Sequence, residues 1–399
     1  MGLRSIKEIY VIGHGPSSSH TIGPYNAAKH ILNKYKKEEI KIIEVTLYGS
    51  LAHTGKGHLT DYIISLAFKD ISHQIIFDTN TKKKHPNTIL FKISLTNGKE
   101  VKEEIYSIGG GSIAIKDTSL DIKEIYPHQH MKEIASYCEE HKISLFQYVD
   151  SHEEDIIPYM QKVLKTMDEA VERGLKAEGY LPGTLKVKRK AKKMFEGIND
   201  NPLGVKDVPM NVAINAFAVS EENAAGGVIV TAPTCGSSGV IPGCIRYLRM
   251  KNVSEEKILE GLAVAGLFGI VCKINASVSG AVGGCQAEIG VASSMGAAMI
   301  AYCFNLSMVD IIQAAEIALE HSLGLTCDPV GGYVQIPCIE RCAVYAVKAI
   351  DAVKLAMVIP DDDIHVGYDD SIRTMFKTGK DMSKKYKETS LGGLAEIIK

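Results

Sequence analysis

The chain has 399 residues, 45% hydrophobic and 23% charged, with 45 Lys and Arg against 47 Asp and Glu for a formal charge of −2. That length predicts two domains, and the composition excludes a disordered or fibrous chain. With near-zero charge and no long basic tail, a nucleic-acid partner is not expected.

An apolar run at 9–12 leads into G-H-G-P-S-S-S-H-T-I-G-P (13–24), a Gly/Pro/Ser loop that opens a helix predicted over 23–35. Three hydroxyls, an imidazole and free amides at a helix start suit an anion such as a carboxylate or phosphate. A Ser/Thr-rich turn with a helix cap is the plainer reading of the same residues. A strand follows at 40–48, then G-S-L-A-H-T-G-K-G-H-L-T-D (49–61) and a helix over 57–68. The second loop is no phosphate-binding P-loop, because its glycines have the wrong spacing and Gly57, not Ser or Thr, follows Lys56. His53, Lys56 and His58 can each meet an anionic substrate. Strands at 73–78, 88–95 and 101–107 follow, the last running into Gly109-Gly110-Gly111, where positive φ and close backbone approach are allowed. The expectation is a small α+β domain over 1–125.

Beyond Pro127 the period lengthens to that of helices, predicted at 131–141, 145–154, 157–173, 187–196, 254–272, 285–304, 310–321 and 338–357, with one short strand at 227–230. The larger domain, 126–399, is expected to be mainly helical, so the fold class is α+β. Residues 289–309 carry no charge but include serines, Asn305 and glycines, which suits a buried core helix and not a membrane span. The lysine-rich runs at 82–84 and 186–193 read as solvated faces.

Nine cysteines on a chain with no apolar secretory core in its first residues predict reduced thiols or metal ligands in a cytoplasmic protein. Cys285 stands in G-G-C-Q-A-E at a helix start. Cys327 stands in G-L-T-C-D-P just past a helix end, and Cys338 follows Pro337 at the start of the next helix. Their spacing matches no common zinc pattern. Helix N-termini nevertheless stabilise thiolates. Cys342 is the rival to Cys338, one turn further on. Cys138, Cys244, Cys272 and Cys303 lie in apolar helical settings and read as core. Cys235 sits in a Gly-rich loop, T-A-P-T-C-G-S-S-G.

Along nearly its whole length the chain resembles the bacterial iron–sulfur-dependent L-serine dehydratases. The resemblance rests on ten ordered motifs: G-P-S-S-S-H-T-x-G-P (15–24), T-G-K-G-H-x-T-D (54–61), H-P-N-T (85–88), Y-S-x-G-G-G (106–111), L-P-G-x-L-K-V (181–187), T-A-P-T (231–234), N-A-S-x-S-G-x-x-x-G-C-Q (275–286), G-L-T-C-D-P-V-G-G (324–332), Q-x-P-C-I-E-R (335–341) and K-Y-K-E-T-S-x-G-G-L-A (385–395). It implies a β-type domain and a helical α-type domain holding a [4Fe–4S] cluster on Cys285, Cys327 and Cys338. One iron is then left open to act as a Lewis acid on the hydroxyl of L-serine, giving pyruvate and ammonia without pyridoxal phosphate. It further implies that Ser17, Ser18, Ser19, Thr21, Lys56, Gly109, Gly110, Gly111 and Asn275 bind substrate. His20, His58 and Lys273 are the candidate bases. Cys235 and Cys342 stand where the family more often has Asn, and His53 stands where it has an apolar residue. No cysteine lies near Lys399, so no tail thiol is expected to cap the open iron. A homo-oligomer, a dimer, is expected, with no membrane partner. Two other readings stay open: a lyase that removes sulfide from L-cysteine, and a non-catalytic sensor whose cluster is closed by Cys235 or Cys342.

Overall fold

The computed structural model describes residues 2–116, 123–200, 202 and 207–398. Contacts divide the chain into two compact units, residues 13–121 with 225–227 and residues 1–12, 122–224 and 228–399.

The first unit is built on a mixed five-stranded sheet. The strand Ile40–Tyr48 lies inside it, parallel to His73–Asp78 on one side and antiparallel to Thr88–Leu95 on the other; Glu100–Gly109 and Ser112–Ile115 continue the sheet. The I-K-I-I-E-V-T-L-Y sequence forms a strand because its β-branched residues fit a pleat that is buried on one face. Side chains alternate across that pleat, so Ile43, Val45 and Leu47 point together into the core, where Ile89, Phe91, Ile93 and Ile105 join them. Parallel neighbours need a crossover, supplied here by the helix Thr60–Ala67. Its Ile64, with Ala27, Ala28 and Ile31 of the helix Gly23–Lys34, closes the core.

The second unit is mostly helical, and small residues set its spacing. The helices Glu255–Asn275 and Val291–Cys303 approach so closely that a Cβ on Gly261 would lie 2.6 Å from Cys303 Sγ, and one on Gly269 would lie 2.9 Å from Met295 Sδ. Glu255–Asn275 is long and apolar enough to span a bilayer, but 78% of its most apolar window is buried among these helices, so it reads as a core helix. Residues 2–12, which the composition boundary groups with the sheet, pack here. Leu3 bridges to Tyr126, Ile6 N donates to Glu153 Oε1 (2.7 Å), and Tyr10 Oη donates to Leu262 O (2.8 Å).

Among the described residues, three helices of more than two turns lie outside the spans that periodicity predicts. Val208–Ala224 is buried almost all round from Asn211 onward, so it shows no polar stripe. Its Glu221 and Glu222 look like surface residues, yet Glu222 is held by Arg173 (3.0 Å) and Arg189 (2.8 Å). Val240–Met250 carries Pro242 and Gly243, which read as breakers, and Tyr368–Asp381 is the third. Conversely, the helix expected over 187–196 begins only at Ala191. Residues 179–189 fold back on themselves instead, with Leu181 N donating to Val187 O and Arg189 N to Gly179 O.

Candidate active site

In the sheet-bearing unit, Ser18–Ile22 forms a single π-type turn that runs into the helix Gly23–Lys34. Such turns recur at functional sites. The turn is pinned from two sides. Ser107 Oγ donates to Ser19 O (2.7 Å), and a Cβ on Gly23 would fall 2.0 Å from Ser107 Oγ, so only glycine allows that approach. Thr21 is fully buried, its hydroxyl 2.6 Å from His14 O; it holds the turn and presents nothing to a ligand. Ser17 Oγ lies 3.3 Å from Ser19 Oγ, and Ser19 Oγ lies 2.8 Å from His20 Nδ1. Gly110 and Gly111 take positive φ between the last two strands, and Gly111 O accepts from Asn26 Nδ2 of the same helix (2.8 Å).

His20 and His58 stack with ring centroids 4.6 Å apart. His20 Nε2 is shared between Ser50 Oγ (3.1 Å) and Thr54 Oγ1 (3.0 Å), so hydroxyls occupy both of its ring nitrogens. His58 Nδ1 faces Thr54 O at 3.0 Å. A carbonyl can only accept, so Nδ1 carries the proton and Nε2 keeps its lone pair. Burial lowers the His20 pKa to about 3, helped by the neighbouring His58, and burial lowers that of His58 as well. Both rings are therefore neutral at physiological pH. Lys56 is exposed with its ammonium over the Phe77 ring (5.4 Å), and His53 is exposed.

In the helical unit, Cys285 precedes a second π-type turn, Gln286–Gly290, that leads into Val291–Cys303. The single helix expected over 285–304 thus starts with a widened turn at the cysteine. Glu288 lies three residues on, on the same face. Cys327 is brought to them by the 384–390 segment, Cys327 N donating to Tyr386 O (2.8 Å) and Glu388 N to Cys327 O (2.9 Å). One ligand atom each from Cys285, Glu288 and Cys327 falls within 4.8 Å of the others. Cys338, the first residue of the helix Cys338–Ala356, is buried, and the Cys285 charge is among the influences raising its pKa, after burial itself.

Arg341, one turn into that helix, balances the charge. Its Nη1 lies 3.3 Å from Cys285 Sγ and donates to Thr326 O (2.8 Å), while Nη2 meets Asp328 Oδ1 (2.8 Å). A hydrogen bond from Cys327 and the Arg341 guanidinium hold the Cys285 thiol below its usual range. The partner thiol is pushed up correspondingly, by that same bond and by burial. Burial, the Glu388 charge and Cys285 raise the Glu288 carboxyl, and burial brings Glu388 to about 7.

Buried thiols backed by a guanidinium are the donor set that iron–sulfur clusters use. The backbone makes room for it: a Cβ on Gly280 would lie 2.3 Å from Glu288 Oε2 and 3.3 Å from Cys327 Sγ. The residues present therefore fit a thiolate-held cluster. Cys342 lies deeper, its Sγ 3.2 Å from Gly236 O and its pKa pushed up to about 11 by burial.

The family described as "Serine dehydratase alpha chain" matches residues 50–395, and "Serine dehydratase beta chain" matches residues 5–71. The chain belongs to the serine dehydratase family. An L-serine dehydratase of Helicobacter pylori is 38% identical over 99% of each chain, and L-serine dehydratase 1 of Escherichia coli K12 is 37% identical over 98% of each. An L-serine dehydratase of Streptomyces coelicolor is 36% identical over 99% of each.

Lys273, a candidate base, and Asn275, a candidate substrate ligand, make contacts of their own within the helical unit. Lys273 Nζ is paired with Glu8 Oε2 (2.8 Å), and the Asn275 amide is spent on Gln129 O (2.9 Å) and Val271 O (3.0 Å). Glu288, Arg341, Thr234 and Glu388 join the thiol group without having been singled out, although Thr234, Arg341 and Glu388 stand within the ten motifs and Glu288 within G-G-C-Q-A-E. For Glu288 and Arg341 the signal was the three-residue offset from Cys285 and from Cys338.

Proposed function

We propose that this chain is a cytoplasmic iron–sulfur hydro-lyase that deaminates L-serine to pyruvate and ammonia. The curated relatives named L-serine dehydratase support the substrate. The observation that carries the chemistry is the gathering of Cys285, Cys327 and Glu288 within 4.8 Å, with Arg341 opposing their charge; Cys338 stands outside that trio but is buried and feels the charge of Cys285.

In this reading Cys285, Cys327 and Cys338 hold a [4Fe–4S] cluster with one open iron. The bound cluster supplies a Lewis acid for the departing hydroxyl. The chain's own residues do the rest. Hydroxyls and amides of Ser17, Ser18 and Ser19, the backbone at Gly109–Gly111 and the Lys56 ammonium bind the substrate carboxylate. Thr21 keeps the serine turn in shape. His58 Nε2 takes the α-proton, because it is the imidazole nitrogen left with a lone pair. His20, saturated by three hydroxyls, orients its neighbour. Lys273 is an ion-paired ammonium and leaves the proton transfer to the imidazole. Once water has gone, aminoacrylate tautomerises and hydrolyses without further help. The chain works as a homodimer.

The test is anaerobic reconstitution of wild type and His58→Asn with iron and sulfide, followed by pyruvate assay on L-serine. We expect His58→Asn to keep its iron while kcat falls roughly 10²–10⁴-fold, the usual range for removing a general base. Unchanged turnover in that variant would assign the proton to another group.

A further inference from the structure

The Glu288 side chain is half-buried and, among the described residues, no lysine or arginine pairs with it. Among the described residues the Thr234 hydroxyl donates to its Oε1 at 2.8 Å, and Cys327 Sγ lies 3.9 Å from its Oε2. Arg341, at the thiol group, is spent on Cys285, Thr326 O and Asp328. A carboxyl drawn out of water with no counter-charge is kept in proteins where a proton, a cation or a metal meets it.

The geometry says which. The Glu288 carboxyl oxygen lies within 4.8 Å of both Cys285 Sγ and Cys327 Sγ. It is aimed there by Thr234, which engages the other oxygen, and by Gly280, whose missing side chain leaves its space open. By contrast Cys342, an alternative fourth thiol, gives its Sγ–H to Gly236 O.

We propose that Glu288 is the fourth protein donor of the metal centre in the substrate-free protein, an exchangeable oxygen ligand that the substrate hydroxyl replaces. An oxygen donor on one corner leaves that iron exchangeable, whereas a fourth thiolate would close the centre. The inference rests on the cluster reading above.

The experiment measures iron and labile sulfide, then records Mössbauer spectra with label in the labile iron, with and without L-serine, for wild type, Glu288→Gln and Glu288→Cys. Wild type is expected to show one distinct iron whose signal moves when serine is added. Glu288→Gln is expected to load equally, to show an altered distinct iron before serine arrives, and to lose that iron to a chelator roughly tenfold faster or more. Glu288→Cys is expected to hold its iron and to ignore serine. Identical resting spectra and iron-loss rates in wild type and Glu288→Gln would overturn the proposal. If Gln fails to load, loading recovered by Cys supports it, and loading by neither overturns it. Wild type that binds no iron and sulfide would fail the cluster reading itself, which is a separate result.

Discussion

Arg341 touches a thiol, a carbonyl and a carboxylate at once, and its three-residue offset from Cys338 is the one trace of that in the sequence. Asp328, its carboxylate partner, is buried and also accepts Leu394 N (2.9 Å), so it cannot turn to solvent when the guanidinium is lost. We expect Arg341→Met to cost about 3–5 kcal/mol, the penalty for orphaning a buried charge, and to lower iron loading. Arg341→Lys should recover little, because one ammonium cannot make the forked contacts. Thermal melts and iron assays read both. The paired histidines give a pH prediction. Folding lowers both pKa values below the ordinary 6.5, so the unfolded chain takes up protons first as pH falls. The sheet-bearing unit should lose stability progressively below pH 6.5, down to about 3 where His20 titrates, and His20→Gln should flatten that slope in a Tm-against-pH series. For the same reason the acid limb of kcat/KM should lie below 6.5. His20 and His58 could be read from sequence because imidazoles in Gly- and Ser-rich loops are conspicuous. Which of them keeps a free lone pair could not, since that depends on Ser50, Thr54 and a backbone carbonyl brought in by the fold.

At the scale of elements, the strands of the sheet were legible to the residue in three cases, Ile40–Tyr48, His73–Asp78 and Thr88–Leu95, because β-branched runs bounded by turn residues mark them. Helices with a solvent face were legible too, Met131–His141 among them. Val208–Ala224 was not, because burial on all sides removes the polar stripe that periodicity detects. Glycine contacts explain how such helices pack. Gly174, on the helix Ile156–Lys176, lies against Ala218 of Val208–Ala224, where an added Cβ would sit 2.2 Å from Ala218 O. Backbone cannot swing aside as a side chain can. We therefore expect Gly174→Ala to push the two helices apart and destabilise the helical unit by about 1–3 kcal/mol, seen as a lower midpoint in denaturant with the slope unchanged.

For the whole molecule, the change from period two to period three-to-four near residue 125 announced a sheet-bearing part followed by a helical one, and the structure has that order. Composition could not show that residues 2–12 pack with the helices, because that placement depends on long-range partners: Tyr126, Glu153 and Leu262. Nor could spacing bring Cys285 and Cys327 together across 41 intervening residues; the C-terminal segment does so through backbone bonds at Tyr386 and Glu388. The most direct measurement is iron and labile sulfide per chain, taken together with pyruvate formed from L-serine, for anaerobically reconstituted wild type and Cys327→Ala. The account predicts a loaded, active wild type and a variant that loses both cluster and turnover. A variant that still makes pyruvate at the wild-type rate without iron would contradict it.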